Sequence, residues 1–221
     1  MKKYYLAIPA IIAIVATIYI LYPHADKSQQ QTTDESSEQK LTPQILEQNG
    51  SPILGNPGAK ITIVEWGDYQ CTYCHAFHTD TKNELLQEYV DSGKVNFVFR
   101  DFPLNGPDSV LAAEAAYCAN DQNKYWQYHD ELYKNWGGER TGWVNQKSLD
   151  KFATNVGLDS DQFDKCMSNK KYEQKVLDNQ KFGQQIGIDG TPSFIIFSDK
   201  KITKVVGAQP ISVFKQVLDN F

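Results

Sequence analysis

The fold is decided by residues 61–74, which read ITIVEWGDYQCTYC. The run from Ile61 to Trp66 is apolar and β-branched at nearly every position, as is typical of a strand buried on both faces of a sheet. Cys71 and Cys74 follow directly, at the start of a stretch with helical character. The sequence therefore predicts a strand that leads straight into a Cys-X-X-Cys helix.

The position of the cysteine pair predicts its chemistry. Unpaired N–H groups and the positive end of the dipole at a helix N-terminus stabilise a thiolate. In such motifs the pKa of the first cysteine falls from about 8.5 to roughly 3.5–7.5, so we expect Cys71 to be largely ionised at neutral pH and to attack disulfides. Cys74, one turn further on, would then release the partner from a mixed disulfide.

Composition bounds the architecture and the partners. A chain of 221 residues with 41% hydrophobic residues can bury the core of one domain and still carry further segments. The net charge of -5 leaves no basic face for a polyanion. We therefore expect one folded domain and no nucleic-acid partner.

The N-terminal segment predicts a compartment. Lys2 and Lys3 precede an uncharged, apolar run over residues 4–22, which as a helix would reach roughly 28 Å and nearly span a bilayer. Pro23 is badly placed for signal cleavage, which favours an uncleaved membrane anchor at residues 1–22 over a cleaved signal. The lysines place the N-terminus in the cytoplasm. We expect a single-pass protein of the cell membrane whose folded domain is extracytoplasmic, where disulfides persist.

The rest of the chain divides into a linker and a domain. Residues 23–50 predict a flexible linker, because residues 23–40 carry almost no apolar side chains, although Thr42 and Pro43 could start a short helix. The predicted domain covers residues 51–221. Its later elements are a strand at Val95–Phe99, a helical insert at about 105–187, a hairpin of Ser193–Phe197 and Ile202–Val206, and a final helix.

This order of elements resembles the thioredoxin fold as elaborated in the DsbA-like thiol:disulfide oxidoreductases. Residues 55–74, GNPGAKITIVEWGDYQCTYC, look like the opening segment of that family, and residues 190–194, GTPSF, look like its cis-proline loop. The resemblance covers roughly Ser51 to Phe221. It implies an α/β thioredoxin fold with a helical insertion, here preceded by the N-terminal transmembrane helix and the flexible linker.

The resemblance also assigns roles to residues. Cys71 is expected to be the nucleophile, Cys74 the resolving cysteine and Pro192 the cis-proline, beside which the backbone of Thr191 can pair with an incoming peptide. Glu65 matches an acidic residue that in this family tunes the buried cysteine and helps to move protons. A carboxylate in apolar surroundings has a raised pKa, which suits that role near neutral pH.

Thr72 and Tyr73, between the cysteines, are predicted to contact substrate, and they depart from the family pattern. Many oxidases of this family carry proline or histidine there. These side chains help to set how strongly the thiolate is stabilised, and potentials of such pairs range from about -270 mV to about -120 mV. The residues therefore leave the direction of thiol:disulfide exchange open.

Cys118 and Cys166 both lie in the helical insert. Four cysteines allow three connectivities, and one of these keeps Cys71 and Cys74 free to react with each other. We therefore predict a structural Cys118–Cys166 disulfide. A second redox pair that relays electrons to Cys71, or two reduced buried thiols, remain alternatives.

Two cofactor alternatives share the motif. Cys71 to His75 spells C-x-x-C-H, the signature of c-type haem attachment, with His75 as proximal ligand and Met167 or another histidine as the sixth ligand. A small haem domain requires neither the buried strand nor the Thr-Pro segment. A zinc site of the two cysteines with His75 and His78 would crowd four ligands into one helical turn. We expect no metal and no cofactor, and we expect His75 and His78 to face solvent and His129 to pack among aromatic residues.

These features predict an enzyme, a protein thiol:disulfide oxidoreductase that introduces disulfides into secreted or membrane proteins through Cys71 and Cys74. The expected partners are cysteine-containing client proteins and a membrane redox partner that reoxidises the pair. A disulfide reductase or isomerase would use the same residues, and a non-catalytic peptide clamp would use the fold alone. We expect a monomer, because no dimerisation segment is evident beyond the anchor.

Overall fold

The structure, a computed structural model, describes residues 41–221. The predicted membrane anchor at residues 1–22 and the first part of the predicted linker lie outside the described residues. Within residues 41–221, no helix is both long enough and apolar enough to cross a membrane.

A mixed four-stranded sheet organises the described domain. Its strands are β1 (Ile61–Gly67), β2 (Val95–Asp101), β3 (Ser193–Phe197) and β4 (Ile202–Val206), in the spatial order β2-β1-β3-β4. β1 and β2 are parallel, whereas β3 runs antiparallel to both of its neighbours. The predicted βαβ unit and the closing hairpin are confirmed, with β1 ending one residue and β2 two residues later than predicted.

The helices cover the sheet and build the insertion. Between β1 and β2 the chain forms two helices and a π-helical turn at Leu86–Val90, between β2 and β3 it forms the predicted helical insert, and one helix follows β4. The helices are α1 (Pro43–Glu47), α2 (Thr72–Asp80), α3 (Lys82–Leu85), α4 (Pro107–Asn120), α5 (Tyr125–Lys134), α6 (Gln146–Asn155), α7 (Ser160–Ser168), α8 (Glu173–Gln185) and α9 (Ile211–Leu218).

Both faces of the sheet are covered, because successive side chains of a strand point to opposite faces. Ile63 of β1 joins a cluster with Phe77 of α2 and Phe214 of α9. Its neighbour Val64 joins a second cluster that includes residues of α1 and α8. This two-sided burial explains why β1 reads as a nearly continuous apolar run.

The folded domain begins earlier than predicted, at residue 41 rather than at Ser51. Thr42 caps α1 by accepting a hydrogen bond from the N–H of Ile45, and Leu46 is fully buried. The Arg100 guanidinium donates hydrogen bonds to the carbonyls of Ile45 and Leu46 at 3.1 and 3.0 Å. The burial of Leu46 and the hydrogen bonds from Arg100 thus hold α1 against the domain, although the predicted linker of 23–50 had included these residues.

Candidate active site

Cys71 and Cys74 lie at the junction between β1 and α2. Cys71 is the N-cap residue of α2, with an extended backbone, and Cys74 lies within the first helical turn. Both are free thiols, with 6% of Cys71 and none of Cys74 exposed. The predicted strand–motif–helix junction is therefore present, and the first cysteine is the more accessible one.

Asp68 holds the turn before the motif, a role that was not predicted from the sequence. Its Oδ1 accepts a hydrogen bond from the N–H of Gln70, and its Oδ2 accepts from the N–H groups of Leu104 and Asn105, each at 2.8 Å. The bond to Gln70 is an Asx turn, which an aspartate just after a strand could have suggested. The bonds to residues 104 and 105 come from the loop after β2 and carry no local signal.

The environment of Cys71 favours its thiolate. Its Sγ lies 3.5 Å from the carbonyl oxygen of Thr191. Hydrogen bonding from Cys74 is the main reason that the pKa of the Cys71 thiol falls from 9.0 to about 6. The side chain of Thr191 and the N–H groups of Cys74 and Tyr73 add to this effect, whereas burial opposes it. Cys71 is therefore mostly ionised at neutral pH, as predicted.

Cys74 has the opposite character. Burial, followed by its hydrogen bond to Cys71, raises the pKa of the Cys74 thiol well above its usual range. Its Sγ also accepts a 3.5 Å hydrogen bond from the N–H of Asp68. The two sulfurs thus divide into an ionised outer thiolate and a protonated inner thiol, which is the division that a nucleophile and a resolving cysteine require.

Glu65 lies on β1 beneath the pair and is completely buried. Desolvation raises the pKa of its carboxyl from 4.5 to about 8; Lys82 lowers this pKa in part, and Cys71 raises it further. Neither carboxyl oxygen has a hydrogen-bond partner within residues 41–221. The carboxyl group of Glu65 is therefore mostly protonated at neutral pH.

The expectation that His75 and His78 face solvent is wrong. His78 is 8% exposed, its ring stacks on Tyr133 at 3.6 Å between centroids, and its Nε2 lies 3.6 Å from Oε2 of Glu65. The ring of His75 stacks on Trp136 at 4.5 Å. The helical insert covers this face of α2, and sequence periodicity does not show which helix packs there.

His78 lies beside Glu65 and also borders an open cavity. Burial, with the Lys82 charge as a smaller cause, lowers the pKa of His78 well below its usual range, so the ring is neutral at pH 7. The same side chain lines an open cavity of about 480 Å³ together with Thr79, Lys82 and Asp130. His78 follows Cys74 by four residues, so helical spacing could have placed both on one face of α2.

The side chains predicted to contact substrate surround Cys71. Thr72 is exposed and Tyr73 is 66% exposed. Thr191 is half-buried and precedes Pro192 through a cis peptide bond. Apolar surface on Tyr73 and the main chain of Thr191 are therefore both available to a peptide that reaches the sulfur.

One cluster of metal-ligating side chains converges in the described domain, and it differs from the zinc alternative. Ligand atoms of His78, His129 and Asp130 lie within 4.8 Å of one another. The Lys82 ammonium lies 2.6 Å from Oδ1 of Asp130 and already supplies a positive charge there. The arrangement therefore does not favour a cation, and the haem alternative would need the His75 ring that packs on Trp136.

Cys118 and Cys166 are joined by a disulfide that connects α4 to α7. Both residues are buried. The alternative of two reduced thiols is therefore wrong.

Known proteins are similar to this chain in sequence and in fold. A family model described as thioredoxin matches residues 47–220. A relative named "Probable disulfide bond formation protein D" from Bacillus anthracis is 31% identical over 147 residues, which cover 65% of this chain and 68% of the relative. The crystal structure of alpha-DsbA1 from Wolbachia pipientis is 26% identical, with a TM-score of 0.67 over 76% of this chain and 88% of that one. The crystal structure of oxidised BdbD from Bacillus subtilis, 24% identical, shares the fold with a TM-score of 0.68 over 76% of this chain and 91% of that chain.

Proposed function

The chain belongs to the DsbA-like thiol:disulfide oxidoreductases of the thioredoxin family, and we propose that it donates disulfides to client proteins through Cys71 and Cys74. One observation supports this direction of exchange: the pKa of Cys71 is low, about 6, and the neighbouring Cys74 is fully buried. A stabilised thiolate lowers the free energy of the reduced pair. Its disulfide is therefore readily reduced, and readily oxidises a client.

The reaction consists of two thiol:disulfide exchanges. A client thiolate attacks Sγ of Cys71 in the Cys71–Cys74 disulfide, a client–Cys71 bond forms, and Cys74 leaves as a thiolate. Glu65, protonated at neutral pH, gives its proton to Cys74. A second client thiolate then attacks the client sulfur of the mixed disulfide, and Cys71 leaves as its stabilised thiolate.

Electrons and protons balance in this scheme. The client loses two electrons and becomes a disulfide, and the enzyme pair gains them as one thiol and one thiolate. Thr191, whose carbonyl lies 3.5 Å from Cys71, holds the client backbone during the exchange. Glu65 regains its proton from solvent by way of His78 and the cavity beside it.

The proposal includes the place of action. Residues 4–22 anchor the protein in the cell membrane as a single span, the domain lies outside the cytoplasm, and a membrane redox partner takes the two electrons from the reduced pair. The apolar run behind Lys2 and Lys3 supports this, as does the Cys118–Cys166 bond, because such bonds persist in oxidising compartments. The protein acts as a monomer.

The test is the reduction potential of the Cys71–Cys74 pair in the full-length chain, equilibrated with glutathione buffers. A donor is expected to have a potential near about -120 mV and a reduced form that is more stable to denaturant than the oxidised form. A potential near about -270 mV would replace the donor with a reductase. A wild-type chain whose Cys71 exchanges with no disulfide would leave only a peptide clamp.

A further inference from the structure

A short segment of the helical insert packs against the N-terminus of α2. We call residues 136–140 the strap. Trp136 Nε1 donates a 2.9 Å hydrogen bond to the carbonyl of Gln70, and the N–H of Arg140 donates to Oε1 of Gln70 at 3.1 Å. The Trp136 ring also stacks on His75. These contacts fix the strap against the residues on both sides of Cys71.

The strap places a carboxylate on the active-site helix. Oε1 of Glu139 accepts a 2.9 Å hydrogen bond from the N–H of Thr72, the first residue of α2. The next two N–H groups, of Tyr73 and Cys74, help to lower the pKa of the Cys71 thiol. The N–H groups at the N-terminus of α2 therefore interact with two anions, the Glu139 carboxylate and the Cys71 thiolate.

We propose that Glu139 is a positioning residue that sets the redox potential of the Cys71–Cys74 pair by holding its charge at the N-terminus of α2. The carboxylate is present in both redox states, whereas the Cys71 thiolate exists only in the reduced state. Repulsion between them raises the free energy of the reduced state alone. Glu139 thus lowers the reduction potential of the pair, so the disulfide is a weaker oxidant of clients than it would be without this charge.

This inference rests on the proposed redox role of Cys71. The other charged or titratable groups near the sulfur include Cys74 and His75 on α2, Glu65 on β1 beneath it, Tyr133 on α5, and Arg140 on the strap. None of these is changed by a substitution of Glu139, so the effect of its charge can be measured separately. Because Glu139 is exposed, solvent screens that charge and the effect is modest.

The experiment compares three variants in the full-length chain. Glu139→Gln keeps an acceptor oxygen for Thr72 but removes the charge, and Glu139→Ala removes both. Asp80→Asn is the matched control, since Asp80 is an exposed carboxylate at the opposite end of α2. The readouts are the pKa of Cys71, from its thiolate ultraviolet absorbance, and the equilibrium with glutathione.

Glu139→Gln is expected to lower the pKa of Cys71 and to shift the equilibrium three- to tenfold toward the dithiol. At 29.6 mV per tenfold change this raises the potential by about 15–30 mV. Asp80→Asn leaves both quantities unchanged. The difference between wild type and Glu139→Gln narrows as salt rises from about 0.05 M to about 1 M, because salt screens exposed charges.

Three outcomes would overturn the inference. Glu139→Gln could match wild type while Cys71 still exchanges, which would leave the proposed function intact. Glu139→Ala could lower thermal stability without moving the potential, which would make Glu139 only a helix cap. The difference between wild type and Glu139→Gln could persist unchanged at high salt, which would exclude its charge as the cause. A wild-type chain that does not exchange would instead refute the proposed function.

Discussion

Glu65 and His78 lie 3.6 Å apart beneath the cysteine pair, and burial shifts their pKa values in opposite directions. Each is stabilised in its neutral form, because a charge on either would be desolvated. At neutral pH a protonated carboxyl therefore faces a neutral imidazole that borders an open cavity. At the residue scale, this arrangement fits the proposed role of Glu65 as a proton donor to Cys74 that regains its proton through His78.

We predict that Glu65→Gln removes a pH dependence of stability. The folded-state pKa of Glu65, about 8, lies above its ordinary value of 4.5. The folded state thus holds the proton more tightly, and the resulting stability is fully present below about pH 4.5 and is lost as pH rises through about 8. Glu65→Gln should be more stable than wild type above this range, by a few kcal/mol.

Urea unfolding of the disulfide form at several pH values measures this effect, because the cysteines do not titrate in that form. Asp91→Asn, at an exposed acid, serves as the control and should follow wild type. Parallel stability curves for wild type and Glu65→Gln would contradict the buried, protonated state of Glu65.

At the scale of elements, α2 connects two parts of the domain. Its Cys74 belongs to the buried cluster of the helical insert, whereas its Phe77 packs on the sheet. The insert in turn is held together by the disulfide between α4 and α7, whose cysteines are 48 residues apart in sequence. The elements that surround Cys71 and Cys74 therefore depend on an insert that a covalent bond stabilises.

We predict that the double variant Cys118→Ala, Cys166→Ala loses stability but keeps the redox chemistry. Closing a loop of this length contributes roughly 4 kcal/mol in the chain-entropy model, because the bond restricts the unfolded chain. Denaturant unfolding measures the loss, and equilibration with glutathione should give the wild-type potential for Cys71 and Cys74. A slower client oxidation at an unchanged potential would support the electron-relay alternative and contradict a purely structural bond.

At the scale of the whole molecule, the sheet, the cis-proline loop and the insert all contribute to one face. Thr191 comes from the residues before β3, and Trp136 and Glu139 come from the strap after α5. Glu65 of β1 is buried beneath this face. Tyr73 projects from this face into solvent. A client can therefore approach Cys71 at this face. The face must then lie in the compartment where clients fold.

We predict that a membrane-impermeant maleimide labels reduced Cys71 in intact cells, since the proposed anchor holds the domain outside the cytoplasm. Cys118 and Cys166 cannot react because they form a disulfide, and Cys74 is fully buried. Cys71→Ser is the control that should lose the signal. Labelling that requires cell lysis would contradict the proposed location. Deleting residues 1–22 should move the protein from the membrane fraction to the soluble fraction.

The local elements of the site could be predicted from the sequence alone. The strand, the Cys-X-X-Cys pair and the start of α2 follow one another between residues 61 and 74, and hydrophobic periodicity reports such local conformation directly. The pairing of Cys118 with Cys166 followed from counting cysteines once Cys71 and Cys74 were assigned to each other. A lowered pKa of Cys71 could be predicted from its place at a helix N-terminus. The largest cause of the shift is the hydrogen bond from Cys74, and the N–H groups of the helix make a smaller contribution.

Other features of the site were decided only by the tertiary structure. Asp68 bonds to Leu104, 36 residues away, and Glu139 reaches Thr72 across 67 residues. His78 is buried because the insert packs over α2. Residues 41–50 pack on the domain because Arg100 donates a hydrogen bond to the carbonyl of Leu46 and the Leu46 side chain is buried. Burial and pKa depend on which distant elements cover a side chain, and a periodic pattern shows that a face is covered without showing what covers it.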